Sequence, residues 1–151
     1  MNGQINIYTN LLLKLSKKAL ALGELPISAI IVDPVNKKVI SACINQSKKN
    51  LILHAEINAI LKALKLTNSK RLDKFDLYCS LEPCAMCASA ISLSRIRRVY
   101  FCLEDKKSGG FINGPKLIYS NNLHHKPKFY YGFKENIFLN LMKNFFKKKR
   151  N

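Results

Sequence analysis

Two short clusters in this 151-residue chain have residue types and spacings suited to metal-assisted hydrolysis. The first is His54-Ala55-Glu56, an imidazole and a carboxyl two positions apart. The second, Pro83-Cys84-Ala85-Met86-Cys87, has its first thiol 30 positions after His54. Residues three apart on a helix share a face, so Cys84 and Cys87 can grip one ion together. The positive end of a helix lowers a thiol pKa and favours the thiolate that a metal needs. With His54 from a second helix start, the set has three ligands. Zinc held by three protein groups keeps a fourth position open for water, which marks a catalytic rather than a structural site. The ion lowers the pKa of such a water towards roughly 7. Glu56 is then the group to take its proton and hand it on. A lone C-x-x-C also fits a redox pair or half of a structural zinc site. His124 and His125 are the candidates for a fourth ligand, and they read as surface residues in a long loop.

These residues must be positioned by helices and strands. Ile5, Tyr8, Leu12, Leu15, Ala19 and Leu22 alternate spacings of three and four, a one-striped helix ended by Gly23. Residues 27–32 and 39–44 read as two strands of a hairpin around Pro34 and Asn36. Residues 55–66 place Ile57, Ile60, Leu61 and Leu64 on a helical face, and 75–81 is a third strand. Pro83 suits the first position of a helix running to about Ser94. Residues 98–103 form a fourth strand. Residues 104–127 are loop-like with one helical turn at most, and 128–133 is a fifth strand. Ile137, Leu141 and Phe145, flanked by Phe138 and Met142, make an amphipathic last helix. The order α-β-β-α-β-α-β-loop-β-α predicts one α/β domain over residues 1–151, its sheet covered by helices on both faces. The first two strands pair as a hairpin, and the later ones are parallel to each other.

With 48% apolar residues the chain can fill a core, and no run of eighteen apolar residues suggests a membrane span. Residues 1–10 lack a signal-peptide pattern, so an intracellular protein is expected. Five cysteines, an odd number, argue against a disulfide framework, and Cys43, Cys79 and Cys102 read as buried free thiols. Twenty-six Lys and Arg against nine Asp and Glu give a net charge of +17, a field that attracts nucleic acid. The richness in Lys, Asn and Ile is also what an AT-rich genome produces. The tract Lys147-Lys148-Lys149-Arg150 serves either a polyanion or a solvated end.

The H-x-E…P-C-x-x-C pattern is the recognised signature of zinc nucleobase deaminases. Residues 81–99, LEPCAMCASAISLSRIRRV, resemble more specifically the bacterial tRNA-specific adenosine deaminases. The likeness extends to ELPISAIIV at 24–32, Asn45, HAEINAI at 54–60, RIRRVYF at 95–101 and the terminal FF-plus-basic segment. The resemblance implies a cytidine deaminase-like three-layer α/β/α sandwich with a five-stranded mixed sheet. It implies conversion of the wobble adenosine of a tRNA anticodon to inosine, with one Zn2+ per subunit. A cytoplasmic homodimer binding the anticodon stem-loop is implied as well. By the same resemblance His54, Cys84 and Cys87 are the zinc ligands and Glu56 the proton shuttle. Asn45 hydrogen-bonds the flipped purine, Ile27 and Leu81 wall the base, Asp105 lies near the ribose, and Phe146 meets the stem-loop. Read as residues alone, Asn45 also fits an Asx turn, Ile27 and Leu81 plain core, and Asp105 an ordinary loop. Ser28, Ser89 and Cys102 stand where the family usually has glycine, and the stretch between Asn45 and His54 is short by a couple of residues. Two rivals remain open: a deaminase of free bases or nucleosides, and a non-catalytic zinc-bearing RNA-binding subunit.

Overall fold

The computed structural model describes residues 3–150. The elements run α1 (Gly3–Ala21), β1 (Ser28–Asp33), β2 (Lys38–Ile44), α2 (Ala55–Thr67), β3 (Asp76–Leu81), α3 (Ala85–Leu93), β4 (Arg98–Leu103), β5 (Lys128–Tyr131) and α4 (Glu135–Arg150), with a single 3-10 turn at Leu117–Tyr119. The sheet order is β2-β1-β3-β4-β5. β1 is antiparallel to β2 and to β3, while β3, β4 and β5 are parallel. This is the five-stranded mixed sheet expected from the order of elements.

The inner strands are apolar at nearly every position because both of their faces are buried. Alternate residues go to opposite layers. Ala29, Ile31, Leu77, Cys79, Val99 and Phe101 pack with Ala59 and Ile60 of α2 and Ala88 and Ile91 of α3. Ile30, Val32, Tyr78, Tyr100 and Cys102 pack instead with Tyr8 and Leu12 of α1 and Phe138 and Leu141 of α4. On that second face Tyr78 and Tyr100 stack at 4.3 Å between ring centres. The loop after β4 is not a loose excursion, since its Phe111 and Ile118 are buried in the first core.

Several local expectations shift: Leu22 of the first stripe and Leu61 of the 55–66 face are exposed, and Cys43 is half-buried rather than buried. Pro83 lies before α3 rather than in its first turn: Cys84 takes the cap position with extended backbone (φ −72°, ψ 178°), and the helix starts at Ala85. In α4 Leu141 and Phe145 are buried as expected, with Phe138 in place of Ile137, which is exposed. The fifth strand stops at Tyr131, two residues early.

Ser28, where the resemblance implies a glycine, has a definite job. Its hydroxyl donates to Leu12 O and pairs with Ser16 Oγ, both at 2.8 Å, fastening α1 to β1. Cys102 is buried in the second core, and burial pushes its thiol up to about 12.

Candidate active site

Two helix N-termini, α2 and α3, meet above the carboxyl end of β3. His54 caps α2 with extended backbone (φ −66°, ψ 152°) and Cys84 caps α3, so both side chains leave the chain at the turn into a helix. His54 O and Cys84 O accept the first helical bonds, from Asn58 N and Ala88 N at 3.0 and 2.8 Å. Cys87 follows one turn along α3 and is buried.

The three side chains converge. Cys84 Sγ and Cys87 Sγ each lie 3.6 Å from His54 Nδ1, and the three donor atoms fall within 4.8 Å of one another. Zinc bonds of about 2.05 Å to nitrogen and about 2.3 Å to sulfur, at a tetrahedral angle, give an N···S edge of about 3.6 Å. The donor set therefore fits zinc in chemistry and in spacing. No fourth His, Cys, Asp or Glu among the described residues joins the cluster. His124 and His125 lie elsewhere: their carbonyls accept from Arg95 Nη1 and Ser92 Oγ, beside the far end of α3.

The electrostatics suit a cation. A hydrogen bond from Cys87, with a further one from His54, pulls Cys84 down to about 4 despite its partial burial. The same contact and burial push Cys87 up. The bond to Cys84 raises the His54 imidazole. Glu56 is 4% exposed, and its Oε1 has no hydrogen-bond partner. Burial pushes it up to about 7, against the opposing pull of Cys87 and His54. A buried carboxyl oxygen left unpaired costs stability, so an oxygen or nitrogen that arrives with the substrate is its natural complement.

The triad floors a cleft of about 780 Å³. Ile27, Asn45, Leu81, Asp105 and Phe146 all line it along with His54, Glu56 and Cys84, while Cys87 sits beneath. Asn45 is buried at the end of β2, with its backbone N–H bonded to Ile27 O at 3.0 Å. Its amide nitrogen donates to Ser47 Oγ at 2.8 Å and to Glu24 Oε2 at 3.5 Å, so the side chain makes no Asx turn. Asp105 Oδ1 accepts from Lys107 N and Ser108 N at 3.2 and 3.1 Å, holding the turn of its own loop. Phe146 is 48% exposed at the rim and meets Phe145 edge-on at 5.3 Å.

The residues alone did not point to Lys106, Lys107 and Ser108 on one side of this cleft, or to Leu139 and Met142 of α4 on the other. Spacing could have found the α4 pair, since Leu139, Met142 and Phe146 recur at three and four, each one residue after a member of the buried stripe. No local pattern marks the loop residues. Glu82 was also passed over, although a carboxyl between an apolar strand and Pro83 is a sequence-level oddity that demands partners.

The cytidine and deoxycytidylate deaminase zinc-binding region matches residues 3–103. A tRNA-specific adenosine deaminase of Rickettsia bellii (strain RML369-C) is 43% identical over 141 residues, 91% of this chain and 97% of the relative. One from Aquifex aeolicus (strain VF5) is 39% identical, covering 92% and 91%. A solved structure from work on A-to-I editing by tRNA:A34 deaminases at the wobble position of transfer RNA superposes with a TM-score of 0.86 at 34% identity, covering 90% of this chain and 99% of the other. A guanine deaminase from Nitrosomonas europaea shares the fold, with a TM-score of 0.74 at 18% identity over 89% of this chain and 80% of the other.

Proposed function

We propose, because this chain belongs to the tRNA-specific adenosine deaminases of the cytidine and deoxycytidylate deaminase zinc-binding family, that it hydrolyses the wobble adenosine of a tRNA anticodon to inosine and ammonia. The observation that carries the reading is the pairing of a three-donor cluster with a buried carboxyl that has one oxygen unpartnered, in one cleft. That pairing also speaks against a non-catalytic subunit, which has no use for Glu56.

His54, Cys84 and Cys87 hold one Zn2+ per subunit. When bound, the ion supplies Lewis-acid activation of water at neutral pH. Glu56 takes the proton of the attacking water, then returns protons to the purine ring and to the departing amine. Water first adds to the purine carbon that bears the exocyclic amine, and the C–N bond then breaks as the protonated amine leaves as ammonia. Ile27 and Leu81 wall the base, Asn45 bonds its edge, and Asp105 lies near the ribose. Burial of Glu56 keeps bulk water from competing for its proton.

The rim favours a polymer over a free base. Lys106 and Lys107 stand on one side, and Phe146 leads into the basic tract Lys147–Arg150 on the other. Cations meet phosphates there, and an exposed ring offers a stacking face to a nucleotide. The whole chain acts as one domain, in keeping with the packing of Phe111, Ile118, Phe138 and Leu141 from beyond residue 103 into the two cores. A homodimer is supported by exposed apolar side chains at Leu51 (81%) and Leu93 (78%), on the segment before α2 and at the end of α3. No described helix is long and apolar enough to cross a membrane, and a cytoplasmic site of action accords with the substrate.

The test offers the zinc-loaded protein a transcribed tRNA with adenosine at the wobble position, beside free adenine, guanine and cytosine. Inosine at that position with stoichiometric ammonia is expected. Ammonia from the free bases alone would transfer the assignment to a small-molecule deaminase.

A further inference from the structure

Glu82 lies between β3 and Cys84, only 2% exposed, and five N–H donors converge on its carboxyl. Oε2 accepts the consecutive backbone N–H groups of Phe111, Ile112 and Asn113 at 3.1, 3.0 and 3.0 Å. Oε1 accepts Asp105 N at 3.2 Å and Asn113 Nδ2 at 2.7 Å. No ion pair to Glu82 occurs among the described residues, so four peptide N–H groups and the Asn113 side-chain amide are what its oxygens meet. The contacts grip both ends of the segment 105–113, whose outer part, Asp105 to Ser108, lines the cleft. Gly109 makes the grip possible, since a Cβ there would overlap the Glu82 carboxyl and lie 2.7 Å from Asp105 O. The segment is also pinned next to a metal-binding residue, with Gly110 N donating to Pro83 O at 2.7 Å and Gly109 bridged to Cys84.

We propose that Glu82 is a positioning residue: its buried carboxyl moulds residues 105–113 into a rigid lip that presents Lys106 and Lys107 to substrate phosphates. Building on the RNA reading above, this deepens it by assigning the lip to the polynucleotide rather than to the base. Glu82 does not touch the reacting atoms. Its loss leaves Glu56 and the zinc ligands in place and frees the lip, so KM rises while kcat is largely kept. A neutral glutamine does not rescue it. With its one oxygen towards 111–113, its NH2 meets two further donors, Asp105 N and Asn113 Nδ2.

The experiment has two arms, both on the zinc-loaded full chain. The first is amide hydrogen exchange of the unaltered protein. The N–H groups of residues 105 and 111–113 are expected to exchange far more slowly than that of Lys106. Equal rates would overturn the anchor, whether or not the protein acts on RNA. The second measures affinity for an anticodon stem-loop against salt, in a Glu56→Gln background that holds substrate unreacted. Two lost phosphate contacts lower the slope of log K against log salt by about 1.4. Glu82→Ala and the surface double variant Lys106→Ala/Lys107→Ala are each expected to show that loss, and their combination no more than either alone. Glu82→Gln serves in place of Glu82→Ala if the latter fails to fold, with zinc content checked for each. An unchanged slope in the Glu82 variant, or losses that add, would overturn the proposal. If the unaltered lip shows slow exchange but the protein binds no RNA, the anchor stands and the substrate reading fails.

Discussion

Replacing Glu56 by glutamine tests the chemistry with the least disturbance to the protein. The side chain is 4% exposed, so any change of shape would be felt; glutamine keeps the shape and removes the exchangeable proton. Burial pushes the carboxyl up to about 7, near neutral pH. A general acid–base group is most effective when its pKa matches the operating pH, so the loss should lie at the upper end of the usual range, about 10⁴-fold in kcat. That is about 5.4 kcal/mol of transition-state stabilisation. Single-turnover conversion of a wobble-adenosine stem-loop, with zinc content and RNA affinity measured alongside, separates the effects. Zinc and affinity should stay near those of the unaltered protein. A rate within tenfold of the original, at full zinc occupancy, would refute the assignment of Glu56 as the proton carrier. The same burial has a second consequence in zinc-stripped protein. The folded carboxyl holds its proton more tightly than the unfolded one does, so the folded state binds more protons over the interval up to about 7. Stability attached to this group is therefore present at acid pH and lost as pH rises through about 7. Glu56→Gln should flatten that loss, and melting curves at pH 5 and pH 8 with a chelator present would show it.

Three further outcomes are expected. Ser28→Ala removes the hydroxyl that binds Leu12 O and Ser16 Oγ, so the protein should lose about 1–3 kcal/mol in denaturant unfolding with its zinc content intact; no loss would mean that the α1–β1 link contributes nothing. Phe146→Ala should leave the melting temperature nearly unchanged, because the ring is half exposed, yet weaken stem-loop binding about 5- to 150-fold, as expected for a lost stacking contact. Asp76 receives Arg97 Nε and Nη2 at 2.8 and 2.7 Å, so Asp76→Ala should cost about 1.5–3 kcal/mol. It should spare kcat, since Asp76 begins β3 and the active site lies beyond that strand's other end; a fallen kcat in the folded variant would contradict this geometry.

Much of the site was legible because its chemistry is local. His54 and Glu56 are two residues apart, Cys84 and Cys87 one helical turn apart, and such spacings survive any tertiary arrangement that starts helices there. The strands were legible for the same kind of reason. Alternate residues such as Ile30 and Ile31 face two different helical layers, so the whole run must be apolar. The misplaced details concern neighbours rather than propensity. In α4 both Ile137 and Phe138 suit an apolar stripe, and the core between α1, α4 and the sheet took in Phe138. Pro83 fits a first helical turn by residue type, yet the approach of Gly110 to its carbonyl keeps the chain extended through Cys84.

By itself the sequence determined the candidate ligand types, their order, the candidate proton carrier and the α/β succession, because each depends on residue chemistry and short spacing. Only the tertiary structure decided that the imidazole and the two thiols stand at the edge length of a zinc tetrahedron, since that distance depends on how the starts of α2 and α3 are set over the sheet. The structure alone also revealed what surrounds Glu82. A buried charge is stabilised by whatever donors surround it, and here those donors arrive from 23 to 31 residues further along the chain.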